Sequence, residues 1–234
     1  MKLIFLDTET TGNDVTKDRL CQVCYRVGDE IRTEYFKPPM PIPVKATSIT
    51  HITNKMVADK QPFQGSTMHK DLAALLVDNV LVAHNAEFDC AILESEGVKI
   101  PHRICTLRVA RFLDPEGIIP EYGLQYLRHY LDLEIEANAH DAEGDVKVLY
   151  AIFQRLLSKV KEKIGDEAAA IEEMITISSK PSLFKKFNFG KYKDKTVAEV
   201  AATDRGYLEW LLKQKQTSGE KDEDWIYTLQ EHLK

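Results

Sequence analysis

Asp7 and Glu9 stand two residues apart at the end of a short, mostly apolar run, Lys2 to Leu6. Such a run suits a strand buried on both faces. Positions i and i+2 of an extended chain project to the same side, so both carboxylates aim at one spot beside the sheet. Two anions held that close repel each other unless a cation lies between them, and an all-oxygen donor set favours Mg2+ or Mn2+. Alone, an Asp-x-Glu reads equally as a strand running into a polar turn. Two later clusters change that balance: His84-Asn-Ala-Glu-Phe-Asp89 and His140-Asp-Ala-Glu-Gly-Asp145. Asn85 reads as the N-cap of a helix, which puts Asp89 a little over one turn inside it, projecting back over the end of the preceding strand. Asp145 falls in the first turns of a long helix, and His140 precedes that helix on a loop able to reach the same place. A histidine titrating near about 6.5 can take a proton at neutral pH, and it is a poor ligand for a hard cation.

The elements that must position these groups follow from periodicity. Residues 2–7, 19–27 and 31–37 read as three antiparallel strands, with Gly28-Asp29-Glu30 as a hairpin turn. Lys37-Pro-Pro-Met-Pro-Ile-Pro43 is an extended loop. Residues 80–84 form a buried strand. Helices are expected over 67–77, 85–96, 104–113, 124–131 and from 141 to 157 or beyond, the last with Val146, Leu149, Ile152, Phe153, Leu156 and Leu157 on one face. Three strands followed by alternating helices and strands indicate an α/β domain on a mixed sheet. All three acidic clusters then fall where strand ends meet helix starts, the place where ligands bind in α/β folds.

The chain has 234 residues and a net charge of −6. That length allows one core of good size plus a small appendage. No apolar run reaches the roughly 18 residues of a membrane span, and the N-terminus enters a strand without a signal-like segment, so a cytoplasmic location without membrane association is expected. Four cysteines do not make a disulfide scaffold. Cys21 and Cys24 have C-x-x-C spacing, but in a strand i and i+3 face opposite sides, and no second pair follows to complete a zinc site. The overall acidity does not exclude a nucleic-acid partner, because residues 180–216 carry nine Lys/Arg against four Asp/Glu. Those lysines interleave with Phe184, Phe187, Phe189, Tyr192, Tyr207 and Trp210. The aromatics read either as the core of a small unit or as contacts to nucleic acid. The expected division is 1–160 as one domain, 161–180 as a helical extension or linker, and 181–234 as a small C-terminal domain.

The set D-x-E, H-N-x-x-F-D and H-x-x-x-x-D, in that order, resembles the DEDDh 3′→5′ exonucleases, the group that includes proteins like the proofreading subunit of bacterial replicative polymerase. The second unit, Phe189-Gly-Lys-Tyr-Lys with Tyr207-Leu-Glu-Trp-Leu-Leu, is similar to the C-terminal domain of the exonuclease X group within that family. The resemblance implies a ribonuclease H-like fold, a mixed five-stranded sheet flanked by helices, with a small, mainly helical C-terminal domain. It implies removal of nucleoside 5′-monophosphates from the 3′ end of a nucleic acid with two divalent cations, in a setting such as DNA repair. DNA is the favoured substrate. An exoribonuclease and a non-catalytic nucleic-acid-binding module are the alternatives, and the presence of all four carboxylates and His140 argues against the module.

The same likeness assigns roles. Asp7 would bridge two metals, Glu9 and Asp145 would complete the first metal site, and Asp89 would support it directly or through a water. His140 would be the general base. Thr10, Thr11 and Gly12 would lie near the terminal sugar, with Asn85 on the site wall. Family members often carry a histidine just before Ile-Thr in the segment that here reads Ala46-Thr-Ser-Ile-Thr-His51-Ile-Thr53. Thr50 takes that position, which leaves His51 beside it at the nucleotide pocket. Phe88 is either core or pocket wall. His84 reads as a strand-end histidine bonded locally rather than a catalytic group.

Overall fold

A computed structural model describes residues 1–135, 141–217 and 222–234. The chain divides into two compact units, one made of residues 1–109 and 121–178 and the other of 110–120 and 179–234.

The first unit is built on β1 (Leu3–Thr10), β2 (Leu20–Val27), β3 (Glu30–Tyr35), β4 (Val80–Ala83) and β5 (His102–Cys105). The sheet order is β3-β2-β1-β4-β5. The pairs β1–β2 and β2–β3 are antiparallel, whereas β4 and β5 run parallel to β1. The helices among the described residues are α1 (Val44–Thr50), α2 (Asn54–Val57), α3 (Thr67–Leu75), α4 (Ala86–Ser95), α5 (Thr106–Leu113), α6 (Leu124–Tyr130), α7 (Ala142–Ile164), α8 (Glu167–Ser178), α9 (Val197–Thr203), α10 (Arg205–Thr217) and α11 (Glu223–His232).

The alternation of β1 decides where the chemistry goes. Ile4 and Leu6 share a buried cluster with Leu72 of α3 and with Ile92 and Leu93 of α4. Phe5 points the other way and meets Tyr150 and Phe153 of α7 edge-on, with ring centroids 5.0 and 5.1 Å apart. Asp7 and Glu9 continue the Phe5 series onto the α7 side, while Thr8 continues the Leu6 series onto the α4 side. The β2–β3 hairpin closes through Gly28 and Asp29, with Gly28 at φ 60°, a conformation that glycine adopts without steric cost.

Two local expectations are corrected, and one segment with no assigned element proves to be a helix. The helix expected over 104–113 begins at Thr106, because Ile104 and Cys105 end the strand β5 and pair with Val82 and Ala83. A four-residue strand is too short to show its period, so long-range pairing overrides the local pattern. The segment after Pro43 forms α1, which has no side-chain cap and leaves Val44 and Ile49 exposed, so the usual helix signals are missing. Asn85 does precede α4, but it is left-handed (φ 62°, ψ 46°) and makes no side-chain cap. Asparagine tolerates that conformation better than most residues. Residues 161–180 hold the end of α7, a left-handed turn at Gly165 and then α8, which packs on α7 and β5 with Ala170, Met174 and Ser178 buried.

The second unit has its own core of Phe187, Val197, Val200, Leu208, Leu211, Trp225 and Leu229. The rings of Phe187 and Trp225 stack at 5.0 Å. A reciprocal capping box between Thr196 and Glu199 starts α9. Arg111 pairs with Asp224, which also accepts the Ser182 N–H.

Candidate active site

Asp7, Glu9 and Asp145 converge. Each offers a carboxylate oxygen, and the three oxygens lie within 4.8 Å of one another. Asp7 and Glu9 arrive from one face of β1, and Asp145 arrives from the first turn of α7, its N–H bonded to the Asp141 carbonyl at 2.9 Å. Gln22, opposite Glu9 on β2, donates from Nε2 to Asp141 Oδ1 at 3.1 Å and so ties the start of α7 to the sheet. Asp141 serves as this anchor. Glu143 is held by Lys147 at 2.7 Å.

Asp89 is almost fully buried, 4% exposed, and stands outside that trio. Its Oδ1 accepts a hydrogen bond from Thr8 Oγ1 at 2.8 Å. Thr8 faces the α4 side of β1, so Asp89 reaches the cluster from across the strand. Its charge is still felt by both Asp7 and Glu9.

Burial and mutual repulsion hold these groups in strained ionisation. The Asp7 carboxyl is pushed well above its ordinary value by burial, then by Asp89, Asp145, Glu9 and Asp141. Glu9 rises from 4.5 to about 8, first from burial and then from Asp145, Asp89 and Asp141. Burial lifts Asp89 to about 7 against the opposing hydrogen bonds from Thr8. A cluster of hard oxygen donors that repel one another when ionised is what a divalent cation relieves, so the residues fit such an ion. By contrast, Cys21 and Cys24 are buried thiols whose burial pushes each up to about 12, and both are free.

A pH prediction follows. An acid whose pKa is raised on folding binds its proton more tightly in the folded state. Stability therefore falls as pH rises through the window between its unfolded and folded values, 4.5 to about 8 for Glu9. For Glu9 alone the loss is on the order of 4 kcal/mol. Thermal unfolding in EDTA should show a lower Tm at pH 8 than at pH 5, and Mg2+ should raise Tm much more at pH 8. An equal metal-induced shift at both pH values would contradict the linkage.

A supporting residue absent from the sequence reading is Gln125. From α6 its Nε2 donates to Asp145 Oδ1 at 2.6 Å, and its Oε1 accepts from Arg128 Nη1 at 3.2 Å. The i,i+3 spacing of Gln125 and Arg128 on an amphipathic helix was the available signal. Removing such an outer partner typically lowers metal affinity or activity roughly 10- to 100-fold. Gln125→Leu is expected to raise the Mg2+ concentration for half-maximal rate by roughly tenfold, with a smaller change at saturating metal. An unchanged metal titration would remove Gln125 from the site.

The other candidates divide. Thr10 Oγ1 donates to the Gly12 carbonyl at 2.6 Å. The Thr11 N–H is bonded to the Arg19 carbonyl at 3.0 Å, and its hydroxyl donates to Asp18 at 2.7 Å. A Cβ at Gly12 would lie 2.5 Å from the Asp18 carboxylate, which would have to shift to admit it. Thr50 is buried at the end of α1, and exposed His51 follows it in a left-handed conformation (φ 59°). Asn85 is exposed, and Phe88 is half-buried against the core of the first unit. His84 is fixed locally, as expected, between Thr106 Oγ1 at 2.9 Å and the Tyr122 carbonyl at 2.8 Å. Glu87 accepts from Arg103 and Arg108 and so ties α4 to β5 and α5. His140 lies outside the described residues.

Carboxylates gathered where β1 meets α7, on a sheet of this order, define a ribonuclease H-like nuclease fold. The Exonuclease family (RNase_T) matches residues 4–153, and the Exodeoxyribonuclease X-like C-terminal family matches residues 187–216. The chain belongs to the exonuclease family. It is 32% identical over 215 residues to exodeoxyribonuclease 10 of Escherichia coli K12, covering 90% of each chain. It is 30% identical over 171 residues to DNA polymerase III subunit epsilon of Treponema pallidum, covering 68% of this chain and 78% of that one. Among solved structures it resembles exonuclease X in complex with 5′ overhanging duplex DNA, with a TM-score of 0.59 and 26% identity over 75% of this chain and 99% of that one. It shares its fold with E. coli exonuclease I in complex with a dT13 oligonucleotide, with a TM-score of 0.57 and 23% identity over 70% of this chain and 42% of that one.

Proposed function

We propose that this exonuclease removes nucleotides from the 3′ end of DNA, with Asp7, Glu9 and Asp145 holding the divalent cation and Asp89 supporting them. The observation that carries the reading is the convergence of three carboxylate oxygens within 4.8 Å in a chain of the exonuclease family. Mg2+ is the proposed physiological ion, since small hard cations suit an all-oxygen set, and Mn2+ would substitute. When bound, divalent cations lower the pKa of the attacking water and stabilise charge on the phosphoryl oxygens.

The rest falls to the chain. Asp7 and Glu9 are paired with Cys24 and Gln22 of β2, on a strand that β4 also flanks as far as Phe5, so the backbone holds the two carboxylates together and the site stays preorganised. Asp145 is held by Gln125 and by its place at the start of α7. His140 would accept the proton of the water as its oxygen attacks the last phosphodiester phosphorus. The P–O bond to the 3′ oxygen of the penultimate nucleotide breaks, that oxygen takes a proton from solvent water to become the new 3′-hydroxyl, and a nucleoside 5′-monophosphate leaves.

The test is incubation with labelled single-stranded DNA, duplex DNA and RNA, each with Mg2+, Mn2+ or EDTA. DNA should be degraded with either metal and spared in EDTA. Faster degradation of RNA would overturn the DNA assignment.

A further inference from the structure

Five of the six aromatic side chains that interleave with lysines in residues 180–216 serve the core of the second unit. Phe187 is buried, and Phe184, Phe189, Tyr192 and Tyr207 pack against its cluster. Trp210 departs from them. It lies on α10 with 54% of its surface exposed. A single exposed apolar residue is ordinary; what distinguishes this one is its setting.

Trp210 leans on Tyr207 with ring centroids 5.6 Å apart, and Tyr207 meets Tyr192 edge-on at 4.8 Å. The turn that carries Tyr192 also carries exposed Lys191, Lys193 and Lys195. It lies close against Tyr207: a Cβ at Gly190 would be 3.1 Å from the Tyr207 hydroxyl. Lys191 Nζ is 4.6 Å from the centre of the Tyr192 ring and 3.2 Å from Asp204, so part of its charge is already answered. Three residues beyond Trp210, on the same side of α10, exposed Lys213 adds a further cation. This basic and aromatic strip belongs to a stretch with an excess of five positive charges in a chain whose net charge is −6.

A half-exposed indole in a basic stretch matches a single nucleic-acid strand. Every base has a face to stack, and the backbone presents a phosphate on either side of it. We infer that Trp210 is a stacking platform for an unpaired nucleobase, with Lys193 and Lys213 taking the flanking phosphates and Lys191 assisting, an accessory single-strand site separate from the carboxylate cluster. The inference rests on the DNA reading above for the identity of the strand.

The chain has two tryptophans, and the other, Trp225, is only 4% exposed. Both tryptophans emit, but only Trp210 is open to contact by a base, so quenching by a bound strand reports on it. In EDTA, which prevents hydrolysis, a long oligothymidylate should quench the emission of the full-length protein. Trp210→Ala should abolish the quenching and weaken binding, measured by anisotropy, by roughly 5- to 100-fold. Lys213→Glu, which leaves the aromatic core untouched, should also weaken binding. Lys193→Ala should flatten the log–log salt slope by about 0.7.

Cleavage of a short oligonucleotide that fills only the carboxylate site should proceed at the wild-type rate in Trp210→Ala. If wild-type protein cut no DNA, the exonuclease reading would fail instead, and the two failures are separable. Absence of quenching, equal affinity for wild type and Trp210→Ala, or an unchanged salt slope in Lys193→Ala would overturn the inference and leave this face to a protein partner.

Discussion

Asp7→Asn is expected to leave a folded protein with less than about one per cent of wild-type hydrolysis. Asp7 shares its spot with both Glu9 and Asp145, and the substitution preserves shape while removing the charge that a cation needs. The same change should stabilise the metal-free protein at pH 8, because Asp7 is the residue most beset by its neighbours: four carboxylates raise it in addition to burial. Loss of activity together with a higher Tm in EDTA separates a catalytic role from a folding defect. Substantial residual activity, or a lower Tm, would count against a metal site centred on Asp7. Such a trade of stability for function is expected where like charges are held together for a ligand.

The second large effect is expected at His140. As the general base, it would contribute roughly 10²–10⁴ to the rate at neutral pH, so His140→Ala should lose about that factor. Wild-type activity should fall as pH drops through about 6.5, where a histidine gains its proton, and the variant should lack that limb. The concentration of Mg2+ for half-maximal rate should stay where it is. A collapse of metal affinity in the variant would make His140 a ligand and overturn the assignment.

The parts of the site that were legible in the sequence share a cause. Asp7 and Glu9 could be placed on one side because β1 is a regular strand through both, with the register shift coming only between Glu9 and Thr10. Asp145 could be placed because α7 is long and strongly one-sided, so its first turn was recognisable. The partners of these residues were hidden because they come from far away in the chain. Thr8 and Asp89 are 81 residues apart, Gln22 and Asp141 are 119 apart, and no local pattern marks either pair. The strand β5 escaped for the same reason, since its pairing with β4 is tertiary and its four residues carry no period of their own. In the second unit the sequence left the aromatics undecided between core and contact. Packing decided it residue by residue, and the half-exposed Trp210 is where the contact reading survives.

Removal of nucleotides from a 3′ end is the reaction expected at the Asp7, Glu9 and Asp145 site. It is tested most directly by one single-stranded DNA labelled separately at its 3′ and 5′ ends and incubated with Mg2+. The 3′ label should be released at once as a nucleoside 5′-monophosphate while the 5′ label marches down a ladder of shorter strands, with both processes absent in EDTA and in Asp7→Asn. Early release of the 5′ label, internal fragments without mononucleotide, or undiminished cleavage in EDTA would contradict it.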